Sequence, residues 1–139
     1  MRPTRIYADF NGLVHGPRNP QRIAVVLDTF GSLRDLSNAG VILREGLPLI
    51  AVDWSDDAED LEGHGTAQYD RANKWWVVEF DEVGVRYVPA ADRSPANVFL
   101  CVKCKHPLSV DAATFDPGAS CPVCGTSVRA AYAPPPFAT

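Results

Sequence analysis

Long apolar runs are missing from this 139-residue chain. No stretch approaches the ~20 consecutive apolar residues that a bilayer-spanning helix needs. The opening, Met1-Arg2-Pro3-Thr4-Arg5-Ile6, lacks the apolar core of a secretory signal. A cytoplasmic protein that makes no use of a membrane is the expectation. Basic charge is also scarce. With 13 Lys and Arg against 17 Asp and Glu the net charge is −4, the opposite of the footprint of a general nucleic-acid binder. There is no nucleophile elbow, no phosphate loop and no dinucleotide fingerprint, so an enzyme is not expected. Cysteine is absent from the first hundred residues and then appears four times, as Cys101-Val102-Lys103-Cys104 and Cys121-Pro122-Val123-Cys124.

In a reducing compartment, close cysteine pairs point to metal or redox chemistry rather than to disulfides. Two Cys-x2-Cys pairs separated by 16 residues fit a four-cysteine metal site. Two intervening residues let the chain turn so that both sulfurs point inward. Two such knuckles then supply the four corners of a tetrahedron with metal–sulfur distances of ~2.3 Å. Pro122 stiffens the second knuckle and Gly125 lets the chain turn under the metal. Large apolar residues are few between the pairs, so burial alone does not order the segment. A structural zinc ion contributes ~10–16 kcal/mol in comparable peptides. The metal ligands are therefore Cys101, Cys104, Cys121 and Cys124, and the expected cofactor is structural Zn2+. Four thiolates leave no open position for substrate or water, which disfavours hydrolysis at the metal.

Charge divides the chain unevenly. Residues 1–94 carry 10 basic and 15 acidic side chains, a net −5, and residues 95–139 carry 3 and 2, a net +1. The change falls at the small, polar, Pro-flanked stretch 89–95, which reads as a linker. Before it the pattern is mostly strands. Residues 5–10 place Ile6, Ala8 and Phe10 on one face, and residues 22–29 are β-branched and apolar. Ser32 as an N-cap with Asp35 reaching back, Leu33 and Leu36 on one face and Gly40 at the end predict one helix of about two turns. Further strands are expected at 49–54, 65–69, 75–80 and 83–89, with 70–74 as a turn. The acidic run 53–62 reads as a solvated loop. It lacks the Asp-x-Asp-x-Asp-Gly order of a calcium loop. The Pro-rich end, 133–139, reads as an extended tail.

Within residues 43–89 the Arg44-Glu45-Gly46-Leu47 entry, the acidic loop, Gly65-Thr66-Ala67-Gln68-Tyr69-Asp70 and Trp75-Trp76-Val77-Val78-Glu79-Phe80 resemble the order of an SH3-like barrel. The first 89 residues resemble a group of small bacterial proteins of uncharacterised function, through Ile6-Tyr7-Ala8-Asp9-Phe10-Asn11, Leu27-Asp28-Thr29, Leu43-Arg44-Glu45-Gly46 and Trp76-Val77-Val78. That likeness implies a fold and no activity. The cysteine spacing and the Cys-Pro-x-Cys-Gly knuckle resemble zinc ribbons over about residues 99–132, with strands at 108–110 and 126–130 and a small core of Phe115, Val128 and Tyr132. They also resemble rubredoxin-like modules, which implies iron and electron transfer as the alternative. Lys105 stands where such modules place a glycine after the second cysteine.

The fold class expected is mainly β: an SH3-like barrel with one short helix (1–92), a zinc-ribbon module (93–132) and a flexible tail (133–139). The function expected is a non-enzymatic interaction module for a protein partner. Contacts would come from Lys103 and Lys105 at the first knuckle and from Trp75 and Trp76, which a strand sends to opposite faces, one to the core and one to the surface. Nucleic acid, engaged through Lys103, Lys105 and Arg129, is the runner-up. The three histidines have no ligand spacing. His15 and His64 read as loop residues that could otherwise join Asp9, Asp28 or the 53–62 acids, and His106 reads as a surface residue.

Overall fold

A computed structural model describes residues 3–53, 59–89, 98–110, 113–116 and 118–135. In chain order the main elements are β1 (Thr4–Tyr7), β2 (Leu13–His15), β3 (Ile23–Val26), α1 (Phe30–Ala39), β4 (Pro48–Asp53), β5 (Glu59–Asp70) and β6 (Trp75–Pro89). Short 3-10 turns occur at Phe10–Gly12 and Ala130–Tyr132. Two small strands, β7 (Phe99–Leu100) and β8 (Pro107–Leu108), flank the first cysteine pair.

Strands β1 to β6 form one sheet in the order β1-β4-β5-β6-β3-β2. β1 runs parallel to β4 and the other neighbours are antiparallel. The fold is thus mainly β with one helix, as expected, but the barrel does not close. Among the described residues β1 pairs only with β4 and β2 only with β3, so the ladder ends in two edges. The physical reason lies in what covers the sheet. A barrel buries its inner face against its own far wall. Here α1 and the cysteine-bearing segment lie on that face. Leu33 and Leu36 of α1, Ile6, Leu49, Trp76 and Phe80 of the sheet, and Phe99, Val102 and Ala131 from beyond residue 98 belong to one continuous buried cluster.

Alternation along β6 sends Trp76, Val78 and Phe80 into that cluster and Trp75 and Val77 to the opposite face, where Val77 packs with Ala24 and Val26. The two strands expected at 75–80 and 83–89 are one interrupted strand. Gly63 pairs with Val85 but Gly65 pairs with Phe80, so residues 81–84 are extruded. Asp81 stabilises the loop by accepting hydrogen bonds from the backbone N–H of Val83 (3.1 Å) and Gly84 (3.3 Å). Gly65 is required at the crossing. A Cβ there would stand 2.0 Å from the Glu79 carbonyl oxygen.

The helix is capped by Thr29, not Ser32. Thr29 is extended and its Oγ1 accepts from Ser32 N at 3.2 Å, which lengthens the helix to ten residues. Ser32 is buried in the first turn and donates to the Tyr7 carbonyl at 2.6 Å. Asp35, expected to reach back to Ser32, instead accepts from Tyr7 N at 2.8 Å. Both side chains are drawn off by β1, whose edge needs partners. Gly40 ends the helix at φ 70°, where a left-handed residue is needed.

The acidic run is not simply a solvated loop. Residues 54–58 lie outside the described region, but Glu59 to Glu62 open β5, and Asp53, Asp60 and Glu62 are buried. Asp53 accepts from Phe10 N at 2.9 Å. Glu62 accepts from Arg5 and pairs with His64, both at 2.6 Å, with Arg86 at 3.8 Å. His64 is accordingly a strand residue, as is His15 in β2. Burial is the largest single influence on the Glu62 carboxyl and would raise it. The hydrogen bonds and charges of His64 and Arg5 outweigh it and hold the group below its usual range. A depressed carboxyl contributes stability that is complete above its unfolded value of ~4.3 and is lost as pH falls through the folded value. Glu62→Gln is therefore expected to flatten the acid limb of the melting-temperature profile below about pH 4.3. Parallel wild-type and variant profiles in that range would show that the cluster contributes nothing.

Candidate metal centre

Each cysteine pair sits on a turn closed by its own backbone. In the first, Cys101 N donates to His106 O and Lys105 N to Cys101 O, both at 3.0 Å. In the second, Cys121 N donates to Thr126 O at 2.8 Å and Gly125 N to Cys121 O at 2.9 Å. The pattern is the same in both cases, one bond across five positions and one across four, and the residue after the second cysteine turns the chain under the sulfurs in each. Gly125 has φ 76° and Lys105 has φ 64°. The missing glycine of the first knuckle thus does not change its shape. A lysine in that conformation carries a strain of order 1 kcal/mol. It is offset where the side chain ends: Lys105 Nζ donates to the Asn38 carbonyl at 2.8 Å. That carbonyl belongs to the last turn of α1, which lacks a helical partner and favours a cation. Gly40 keeps the space open, because a Cβ there would come within 2.8 Å of Lys105 Nζ.

Asn38 is the second anchor. Its amide nitrogen donates to Val98 O at 2.9 Å and its oxygen accepts from Leu100 N at 2.7 Å. Beneath these bonds Phe30 of α1 meets Phe99 and Phe115 with ring centroids 5.7 and 5.5 Å apart. Leu43 N donates to Ala131 O at 2.9 Å, and the indole of Trp76 donates to Ala133 O at 3.0 Å. Phe115 and Tyr132 therefore pack on the main core, whereas the sequence had them making a separate small one. The strand expected at 108–110 is Pro107–Leu108, and that expected at 126–130 reduces to a single bridge between Ser120 and Ser127 followed by the 3-10 turn.

The two knuckles bring the four sulfurs within 4.8 Å of one another. Cys101 Sγ lies 3.6 Å from Cys124 Sγ, and Cys104 Sγ 3.6 Å from Cys121 Sγ. Four sulfurs at ~2.3 Å from one metal stand about 3.8 Å apart along a tetrahedral edge. A disulfide needs ~2.05 Å. The donor set therefore fits a tetrahedral ion. The first cysteine of each pair is buried and the second exposed.

The thiols are tuned unequally. Cys124 is held down to about 6, first by the Thr126 hydroxyl and then by the Thr126 backbone. Cys121 is lowered, chiefly by the backbone N–H of Cys124. Cys104 is pushed up to about 12. A backbone hydrogen bond at His106 is its largest influence and pulls it down, but desolvation and the other three sulfurs outweigh it. Successive thiolates in one cluster repel each other, and a bound cation removes that penalty. Thr126 Oγ1 lies 3.1 Å from Cys124 Sγ. Loss of such a hydrogen bond to a ligand costs about 10- to 100-fold in metal affinity. Thr126→Val is expected to weaken zinc by that factor in competition with a chromophoric chelator. An unchanged affinity would mean that the hydroxyl does not tune the site.

Among the residues the sequence singled out for partner contact, Lys103 is exposed at the first knuckle and Lys105 is tied to α1. Trp75 is half-buried on the far face of the sheet, and Trp76 is 1% exposed in the core. A residue so buried has no surface to offer, so Trp76 acts on the fold. His106 contributes its carbonyl to the first knuckle and lies outside the sulfur cluster. Asn38 was missed: one asparagine in a helix carries no pattern that announces two long-range bonds. The chain matches no family model, no curated protein sequence and no solved structure. What the fold and cluster define is a mainly β protein with four cysteines placed to hold a metal ion. Among the described residues no helix is long and apolar enough to cross a membrane.

Proposed function

We propose that the chain is a non-enzymatic module that docks on a protein, with a zinc-ribbon-like segment held folded by structural zinc and packed on an SH3-like sheet. A reducing compartment such as the cytoplasm suits the four thiolates. One observation carries the protein reading. Leu13, Ile23 and Val83 are 42%, 44% and 61% exposed, and they line one open depression of about 480 Å3 beside the extruded 81–84 loop. Asp81 and Glu82 against a single Arg22 give its rim a net negative charge. Clustered apolar side chains with a charged rim mark contact surfaces. The acidic rim and the net −4 of the chain favour a partner with a basic patch. Lys103 and Trp75 are additional contact candidates. The closed thiolate set supports a metal that holds structure rather than one that binds substrate.

Affinity purification from the source cell, with wild type and Val83→Asp side by side, tests this. A partner retained by wild type and lost by the metal-loaded variant supports the surface. Loss of that partner in chelator would show that recognition also needs the clasped segment. The same proteins on both forms, or none on either, would contradict it.

Iron is the second reading, because the first knuckle adopts the turn of the second without its glycine. Colour separates the two: an iron form is red and bleaches on reduction, and a zinc form is colourless. Nucleic-acid binding through Lys103, Lys105 and Arg129 is weakened by the engagement of Lys105 with α1.

A further inference from the structure

Where the cysteine segment meets the start of α1 there is a cavity of about 280 Å3, lined by Asp28, Thr29, Leu33, Phe115, Arg129 and Tyr132. Its walls come from two sources. Asp28, Thr29 and Leu33 belong to the sheet-to-helix junction, and the other three follow residue 98. Leu33 and Phe115 make an apolar side. Asp28 and Arg129 are exposed and carry opposite charges, yet among the described residues no ion pair joins them. The Tyr132 hydroxyl and the Asp28 carboxylate have no hydrogen-bond partner among the described residues either, and Arg129 is engaged only through its backbone, whose N–H donates to Ser127 Oγ and whose carbonyl accepts from Tyr132 N. Three unengaged polar groups of different kinds thus converge on one concave, partly apolar space, the usual anatomy of a small-ligand site. A neighbouring depression shares Asp28 and Thr29 but adds Asp9 and no cation among its lining residues. The one beside Arg18 and Thr66 is already served, because Glu79 accepts from the backbone N–H of Arg18 and Asn19.

The geometry points to a binding site for a small zwitterion of the α-amino-acid type with an apolar side chain. Its carboxylate would lie on Arg129, its ammonium on Asp28 and its side chain against Leu33 and Phe115. A single anion would leave Asp28 opposed, and a single cation would leave Arg129 opposed. A ligand carrying both charges satisfies both. Tyr132 adds a donor for the carboxylate. Burial and then the Asp28 charge push its phenol up to about 12, with Arg129 opposing, so the proton is present across the physiological range. The volume suits an amino acid and falls short of a drug-sized or nucleotide ligand. This proposal concerns a different surface from the exposed apolar depression and stands or falls independently of it.

Leucine is the probe, titrated calorimetrically into the full metal-loaded chain, with N-acetyl-leucine and leucinamide as analogues that each lack one charge. Leucine is expected to bind. Each analogue should bind about tenfold to a hundredfold more weakly, the range for losing one charge-assisted hydrogen bond. Asp28→Asn and Arg129→Gln should each weaken leucine by a similar factor while retaining bound metal. Asp28→Asn should also abolish the preference for leucine over N-acetyl-leucine. No heat of binding up to on the order of 10 mM leucine, equal binding of leucine and both analogues, or unchanged affinity in both variants would overturn the proposal.

Discussion

Removing the metal, or replacing Cys121 by Ser, is expected to unfold the segment from Phe99 to Tyr132 while the sheet survives with a lower melting temperature. Structural zinc contributes ~10–16 kcal/mol to comparable modules, as much as the whole stability of a typical domain. What remains without it is modest. Phe99, Val102 and Ala131 are buried on the main core, and full burial of a large apolar side chain is worth about 1.5–3 kcal/mol. Asn38 and Lys105 add hydrogen bonds at the end of α1. These contacts guide the segment to its place but do not replace the ion. Hydrogen exchange reads the outcome locally. The amides of Cys101, Lys105, Cys121 and Gly125, which close the two knuckles, should lose protection in chelator, and those between β5 and β6 should keep most of theirs. Equal protection with and without metal would show that packing alone folds the segment.

The second large effect is expected at Trp76. It is 1% exposed, its ring stands edge-on to Tyr69 at 5.4 Å, and its indole N–H holds the Ala133 carbonyl. Trp76→Ala removes a large core side chain, at a cost of about 3–5 kcal/mol, or roughly 10–20 °C in melting temperature for a chain of this size. Trp76→Phe retains most of the packing but leaves the Ala133 carbonyl without its partner, so its effect is expected to be smaller. Trp75, on the opposite face and half-buried, should tolerate change better. Melting curves of the three variants test the order. A Trp75 variant as destabilised as Trp76→Ala would contradict the assignment of faces.

How much of this was legible in the sequence depended on how local the cause is. The gathering of the four cysteines into one cluster was readable because Cys-x2-Cys geometry is set within each knuckle. Ile6, Ala8 and Phe10 were placed on one face and all three are buried in one cluster, but the strand expected at 5–10 ends at Tyr7 and Phe10 reaches the core from a 3-10 turn. Gly40 was readable as a helix end because its cause is also local. The failures share a different cause. Barrel closure depends on which strands meet at the edges, and the parallel pairing of β1 with β4 is not written in either strand. Ser32 and Asp35 looked like a capping box, but their side chains serve the Tyr7 backbone across 25 and 28 residues of chain. The acids at 59–62 looked solvated because nothing nearby in sequence reveals Arg5 and Arg86 as neighbours of Glu62. Lys105 looked like a docking residue, and its tie to Asn38 spans 67 positions.

The central claim is that Cys101, Cys104, Cys121 and Cys124 together hold one metal ion. X-ray absorption at the metal edge of the purified chain, combined with metal analysis, tests it directly. The account predicts one zinc per chain surrounded by four sulfurs at ~2.3 Å. Nitrogen or oxygen in the first coordination shell, or purified chain with neither zinc nor iron at the four sulfurs, would contradict it.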